Sequence, residues 1–463
     1  MIDFKNIKKV YFIGIGGISM SAIALILKNN NIEVLGSDIN HSEITDRLIN
    51  NGIKVNFDQV EENITTDIDL VVYTAAIHQD NKEYIAANKL GLNIVVRSKL
   101  LGELMKLYKN NINVAGTHGK TTTTSMIAKI LIDANLNPTI NVGAVYKFID
   151  GNVKIGSNEI FLNEACEYTN SFLDFNPNVE IITNIEEDHL DFFKDINDIR
   201  ASFKKYIDKL DSNGLLIINN KIKNLNELFI DSKANIKTYS SSDCADFETK
   251  NIIVNNVNTT FDIYYNDKFI INISIKVFGN HNVENALAAF ACCYLLGIDP
   301  KIIKDSLFDF SGADRRLENK GEYNGILIYD DYAHHPSEIK ASINALKSLN
   351  NQNKKVYLIF QPHTFTRTKL LFNEFCEALS NIDNLIIIDI YPAREKDIYN
   401  ISSKDLVDFI NKKYNKNAKY ISNIDDTVKY LLDNIKPDNI VITMGAGDVY
   451  KISDKIIEYF NNK

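Results

Sequence analysis

One stretch of the chain reads Gly116-Thr117-His118-Gly119-Lys120-Thr121-Thr122-Thr123. Glycines let backbone N–H groups approach phosphate oxygens, and a helix opening behind them adds partial positive charge. In such a cradle Lys120 reaches the β- and γ-phosphates of ATP, and the Thr121 hydroxyl completes a magnesium shell. The spacing departs from G-x-x-x-x-G-K-[ST], because two residues separate the glycines. The plain alternative is a glycine turn beside an ordinary surface lysine.

A second glycine-rich stretch follows the apolar run Val10–Ile13. It reads Gly14-Ile15-Gly16-Gly17-Ile18-Ser19, with Asp38 about twenty residues on. A dinucleotide site with a small residue in place of the third glycine has this pattern. Alone it also fits a nicotinamide-dependent dehydrogenase, in which Lys120 would have no task. Arg97 follows a further apolar run and suits either a sugar nucleotide or a surface ion pair.

These residues need elements to hold them. Val10–Ile13, Glu33–Leu35, Leu70–Tyr73 and Ile94–Val96 read as strands, and Ser19–Lys28 reads as a helix. Asn111–Ala115 is a strand that meets the phosphate loop, with a helix over Thr121–Asp133 behind it. Ile160–Leu162, Val179–Thr183 and Leu215–Ile218 follow. Asn251–Val277 alternates apolar and polar residues around a turn at Asn266-Asp267, which predicts an antiparallel patch. Val283–Leu296 is an alanine-rich helix ending at Gly297. Ile326–Tyr329, Val356–Phe360, Leu385–Ile390 and Ile440–Thr443 alternate with helices again. The pattern predicts an α/β protein of three domains, over 1–107, 108–312 and 313–463.

The chain has 463 residues, and about 100–200 residues per domain agrees with three. Its formal net charge of -9 argues against a large nucleic-acid surface. The five cysteines are odd in number and form no C-x-x-C, so neither a disulfide framework nor a cysteine zinc site is expected. The absence of a secretory leader and of an apolar run of about 18 residues predicts a cytoplasmic protein without membrane insertion. The sequence leaves monomer and homodimer both open.

The string Gly116–Thr123 resembles the nucleotide loop of the Mur ligase family. Further resemblances follow in order: Gly14–Ser21, Glu164–Tyr168, Thr183–Asp191, Gly279–Asn285, Arg315-Arg316, Asp330–Pro336, Gln361–Arg367 and Gly445–Asp448. The resemblance implies a Rossmann-like N-terminal domain for a UDP-linked substrate and a central P-loop ATPase-type α/β domain. It adds a C-terminal Rossmann-like domain that brings an amino acid. It implies ATP-dependent ligation of L-alanine to the lactyl carboxylate of UDP-N-acetylmuramate through an acyl phosphate. ATP and Mg2+ are the implied cofactors.

The resemblance places Thr121, Glu164 and His189 around metal and phosphates, although a neutral imidazole is a less usual ligand for magnesium. Asn184 is expected to orient a phosphate or a water. His281, Asn282 and Asn285 resemble an adenine-contacting set; N-capping of the following helix by Asn282 or Asn280 is the alternative. Arg315 is expected to meet phosphate on closure, or else to be a solvated linker residue. Asp331, Tyr332, His334, His363 and Arg367 come from two strand-to-loop junctions, where open α/β sheets bind ligands. Arg367 would clamp the alanine carboxylate, and Tyr332, His334 and His363 would guide its amine. His335 reads as a turn residue only. Gly14, Gly16, Gly17, Ser37, Asp38, Thr74, Ala75 and Arg97 would line the UDP crevice. Some relatives carry a carbamylated lysine; the aligned place here falls near Phe203, so no such modification is expected. The remaining alternatives are a relative that attaches a whole tripeptide and an ATP-binding switch without ligase activity.

Overall fold

In the computed structural model of the chain, residues 4, 6–74, 77–254, 258–277, 279–312, 315, 317–349, 354–393 and 395–461 are described. Three sheets divide the molecule. The first is wholly parallel, in the order Lys54–Asn56, Glu33–Ser37, Lys9–Ile13, Leu70–Tyr73, Ile94–Val96. The reversal of strand order beside Lys9–Ile13 opens a crevice at the strand's carboxyl end, where Gly14 turns the chain at φ 83°.

The central sheet has ten strands. Its parallel heart runs Leu215–Asn219, Val179–Ile182, Asn110–Ala115, Ile160–Glu164. Valine, isoleucine and leucine dominate there and both faces are buried, as expected of a parallel sheet covered on two sides, with Asn113, Asn163 and Glu180 buried among them. The strands Phe247–Val254, Thr259–Tyr265 and Lys268–Ile275 form the expected antiparallel patch. Asn266 and Asp267 turn the last pair at φ 47° and 62°. The helices Lys120–Asp133 and Asn280–Leu295 pack on one face of the sheet within one apolar core.

The third sheet has the order Glu318–Tyr323, Ile326–Asp331, Ile440–Met444, Val356–Phe360, Asn384–Ile387, Lys419–Tyr420. Only the first pair is antiparallel. The carboxyl ends of Ile326–Asp331 and Val356–Phe360 therefore lie on one rim, two strands apart, and the loops that follow them meet there. Six strands were not foreseen from the sequence, among them Thr139–Tyr146 and Asn235–Ser240. The first is broken by Gly143 and the second is mostly polar, so neither shows a clean period of two. No helix among the described residues is long and apolar enough to cross a membrane.

Candidate active site

The strand Asn110–Ala115 ends at Gly116, which takes φ 133°, and Gly119 at φ 81° opens the helix Lys120–Asp133. Both glycines are sterically required. A Cβ on Gly116 would stand 2.1 Å from the Thr183 hydroxyl, and one on Gly119 would stand 2.5 Å from Asn285 Oδ1. The loop is braced from the next strand. Asn184 Oδ1 accepts the His118 N–H at 2.8 Å, and Asn184 Nδ2 donates to the His118 carbonyl at 2.9 Å. Thr117 N donates to the Asn184 carbonyl at 3.1 Å. Both ends of the Asn184 amide thus serve the loop itself, a different task from the phosphate or water contact expected of it.

The Lys120 ammonium is folded into the loop. It donates to the Gly116 and Thr117 carbonyls and meets the Glu167 carboxylate at 3.0 Å. Burial opposes its charge, but Glu167, Cys166 and Glu164 outweigh burial and hold its pKa above the ordinary lysine value. Beside it, Thr121 Oγ1 donates to Glu164 Oε1 at 2.9 Å, and Gly143 N donates to Glu164 Oε2 at 2.7 Å. Thr121 and Glu164 therefore offer paired oxygen donors next to the phosphate loop, a set that suits magnesium completed by phosphates and water. His189 sits on the loop that follows the strand Val179–Ile182. It takes φ 52° and stacks on Tyr168 with ring centroids 4.4 Å apart. No group of three or more His, Cys, Asp or Glu among the described residues is arranged to hold a metal ion.

A cavity of about 950 Å³ opens from the loop. His118, Gly119, Thr122 and Asn184 line it at one end, and His281, Asn282 and Asn285 line it further on. Asn285 Nδ2 donates to Asn282 Oδ1 at 3.1 Å, so the two amides share one helical face. Side-chain capping of this helix does not occur: Gly279 is the N-cap. Asp331 and Ala333 form the opposite wall, together with Ser337 and Glu338. Asp331 accepts from Leu317 N and Ala333 N at 2.7 Å each and from the Ser342 hydroxyl at 3.2 Å.

The last domain brings a further polar group to its contact with the central domain at Asp188. His334 Nδ1 lies 3.0 Å from the Tyr332 carbonyl. A carbonyl only accepts, so Nδ1 carries the proton and Nε2 a lone pair. Arg367 reaches His363 Nδ1 at 3.3 Å and Asp188 Oδ1 at 3.3 Å. His363 must then accept at Nδ1. Burial lowers the His334 pKa to about 4 and the His363 pKa to about 3, so both rings are neutral at physiological pH. Asp188 is drawn below the usual carboxylate range: burial works against this, and Arg367, His189 and His335 prevail. Thr364 caps the short helix Phe365–Leu370 at φ 68°, which fixes where Arg367 stands.

Arg315 points away from the phosphate loop. Its Nε donates to Asp330 at 2.8 Å, its Nη2 donates to the Gly445 carbonyl at 2.7 Å, and its guanidinium lies over Tyr332 and Tyr450. It is neither on phosphate nor a solvated linker residue in this arrangement.

In the first domain, Gly16 N donates to Asp38 Oδ2 at 2.9 Å, and a Cβ on Gly16 would come within 2.7 Å of that oxygen. Gly17 opens the helix Ile18–Asn29, and Thr74 lies against Gly14. The Ser37 hydroxyl does not line the crevice. It is fully buried and donates to Glu83 at 2.5 Å. Ala75 lies outside the described residues. Arg97 donates to Ser19 at 2.7 Å; burial pulls its pKa below the ordinary arginine value, against Cys166 and Asp174 across the domain joint.

Several site residues escaped the sequence reading. Glu167 lies within the quoted stretch Glu164–Tyr168, and Asp188 lies within Thr183–Asp191, so both were visible without an assigned task. His335, read as a turn residue, donates from Nε2 to the Glu187 carbonyl of the central domain at 3.2 Å. Glu338 gave no signal.

Comparison with known proteins covers the whole chain. The profile described as Mur ligase middle domain matches residues 114–293. That described as Mur ligase family, catalytic domain, matches 9–109, and that described as Mur ligase, glutamate ligase domain, matches 315–447. The chain is 48% identical to a UDP-N-acetylmuramate--L-alanine ligase of Lachnospira eligens, over 99% of both chains. It is 44% identical to the protein of that name from Caldanaerobacter subterraneus, again over 99% of both. Among solved structures, the UDP-N-acetylmuramate-alanine ligase of Thermotoga maritima superposes with a TM-score of 0.84 at 28% identity, covering 98% of this chain and 99% of that one.

Proposed function

From the premise that this chain belongs to the Mur ligase family, we propose that it joins L-alanine to UDP-N-acetylmuramate at the expense of ATP. The product is UDP-N-acetylmuramoyl-L-alanine, with ADP and phosphate, and it feeds peptidoglycan synthesis. One observation carries the reading: a single cleft is lined by His118, Gly119 and Thr122 of the phosphate loop and by Asp331, Ala333, His335 and Glu338 of the last domain, whose Arg367 also reaches Asp188 of the central domain. Nucleotide-linked substrates of this kind fit an enzyme of the cytoplasm. Domain limits of 1–107, 108–312 and 313–463 agree with the division into three sheets.

The lactyl carboxylate attacks the γ-phosphorus of ATP, and ADP leaves. The amine of L-alanine then attacks the acyl carbon, and phosphate leaves. Both steps crowd anions together, so fixed positive charge is the main requirement. Lys120 supplies it by exchanging its loop carbonyls for phosphate oxygens while Glu167 keeps hold of the ammonium. Magnesium, when bound, neutralises phosphate charge and orients the phosphoryl group; Thr121 and Glu164 would hold it, with His189 as a further contact. The cradle of Gly116, Thr117, His118, Gly119 and Thr122 receives the triphosphate. His281, Asn282 and Asn285 face the adenine.

Gly14, Gly16, Gly17, Asp38, Thr74 and Arg97 receive the UDP moiety. Arg97, bonded to Ser19 beside the glycine turn and within electrostatic reach of Cys166, is the cation closest to the diphosphate in this reading. Arg367 takes the alanine carboxylate. The Nε2 lone pair of His334 accepts a hydrogen bond from the amino group of alanine and orients it. The test is an amide-forming assay with UDP-N-acetylmuramate, ATP, Mg2+ and a panel of amino acids and the corresponding tripeptide. Product with L-alanine is expected; preference for the tripeptide, or ATP hydrolysis without an amide, would overturn the reading.

A further inference from the structure

The imidazole of His118 sits in the phosphate loop but faces outward, across the domain joint. Its Nε2 meets the Ser337 hydroxyl at 2.8 Å, and Ser337 Oγ lies 2.9 Å from His335 Nδ1. His335 Nε2 donates to the Glu187 carbonyl. Because that carbonyl can only accept, a neutral His335 must receive the Ser337 proton at Nδ1, and Ser337 must accept from His118. The result is a directed chain that leaves the central domain at His118, passes through the last domain and returns at Glu187.

Glu338 ties the chain to the amine side of the cleft. Its Oε1 stands 3.4 Å from His118 Nδ1. Its Oε2 accepts the backbone N–H of His334 at 3.1 Å and that of His335 at 3.3 Å. One carboxylate, with a side chain 13% exposed, therefore touches the phosphate loop with one oxygen and fixes the His334 loop with the other.

We propose that Glu338 and Ser337 are positioning residues of the ligation, registering the amine-guiding loop of the last domain against the phosphate loop through His118. The proposal rests on the ligase reading and names how its two half-sites are aligned. Attack on an acyl phosphate demands that the two walls meet within a fraction of an ångström. A contact made through the phosphate loop itself places the amine relative to the group it must displace.

The test is a double-mutant cycle on the full-length enzyme with His118→Ala, Glu338→Ala and both together. Each single change should lower kcat/KM for L-alanine about tenfold, the scale of one charge-assisted hydrogen bond, with the double variant no more than about threefold worse than either. The Glu338 change should also lower kcat at saturating L-alanine, although the residue belongs to the amino-acid domain. Glu338→Gln keeps an acceptor for the loop amides and offers an N–H to the Nδ1 lone pair of a neutral His118 in place of the carboxylate, and should recover most of the loss. Losses that multiply to about a hundredfold in the double variant, or an effect confined to the KM for L-alanine, would reduce Glu338 to a local cap and overturn the proposal. If Glu338→Ala does not fold, the same cycle with Ser337→Ala decides, since that change removes one hydroxyl only. Wild-type enzyme in the same assay separates the questions: absence of amide there refutes the ligase reading, whereas additive losses in an active enzyme refute the positioning role alone.

Discussion

At the residue scale, the charges of the site are held by fixed partners before any substrate arrives. Lys120 is paired with a buried carboxylate, so Lys120→Ala both removes the phosphate contact and strands Glu167. We expect ligation to fall by roughly three orders of magnitude in a phosphate-release assay, about 4 kcal/mol of transition-state stabilisation. Stability should fall by about 3 kcal/mol, because an unpaired buried charge remains. Adding Glu167→Gln should restore part of the thermal midpoint and none of the activity. His363→Ala should raise the KM for L-alanine by about tenfold and leave that for ATP within about twofold, since His363 touches Arg367 and not the phosphate loop. Equal shifts in both constants would remove His363 from the alanine pocket.

The two lowered histidines also set a pH signature. Their folded-state values, about 4 and about 3, lie below the ordinary 6.5. The fold therefore favours the neutral rings, and the stability they contribute is complete above 6.5 and is lost as pH falls toward 4 and 3. Thermal midpoints measured from pH 7 to pH 4 should decline, and His334→Gln should flatten part of that decline. The phosphate loop was legible because its glycines and lysine are adjacent in sequence. The pairings Lys120–Glu167 and Arg367–Asp188 were not, because strand crossings and a domain joint create them.

At the scale of elements, the central sheet hides a row of polar side chains behind the site. Glu180, Asn113, Asn163 and Asn141 are in register across four adjacent strands, so they share one face. Asn141 donates to Asn163 at 2.8 Å, and Asn113 donates to the Tyr206 hydroxyl at 2.8 Å. Glu180 is wholly buried, and neither of its carboxylate oxygens has a hydrogen-bond partner among the described residues. Burial pushes its pKa well above the ordinary 4.5, so the fold keeps it protonated. Stability from such a group is full below 4.5 and is lost as pH rises toward the folded-state value. Glu180→Gln should therefore raise the thermal midpoint at pH 8 and flatten its decline above pH 5. An unchanged slope in the variant would mean that Glu180 does not hold its proton. Sequence periodicity found strands such as Leu215–Asn219 because their apolar run, Leu215–Ile218, covers both faces. It did not foresee the polar row, since a lone polar residue such as Glu180 or Asn163 within a strand looks like an ordinary exposed position until the register is known.

At the scale of the whole molecule, the central domain holds the first domain on one side and the last on the other through single hydrogen bonds. Ser98 of the first domain donates to Asp174 of the second at 2.5 Å, and Asn152 donates back to the Ile18 carbonyl at 2.8 Å. The second and third meet through Arg367–Asp188 and His335–Glu187. We expect small-angle scattering of His335→Ala/Arg367→Ala to show a larger radius of gyration than the parent protein, with compaction restored by an ATP analogue and the UDP-sugar together. Equal radii in all states would mean that other contacts hold the last domain. The order of the three domains was readable from alternating strands and helices; their mutual seating was not, because single hydrogen bonds between distant loops leave no periodic trace.

The Arg367–Asp188 contact has a consequence for selectivity. On the proposed assignment of Arg367 to the alanine carboxylate, Asp188 occupies the guanidinium as an internal stand-in for that group. A free acid must therefore displace a tethered rival, and weakly held carboxylates from the surrounding pool lose that contest unless the rest of their shape also fits.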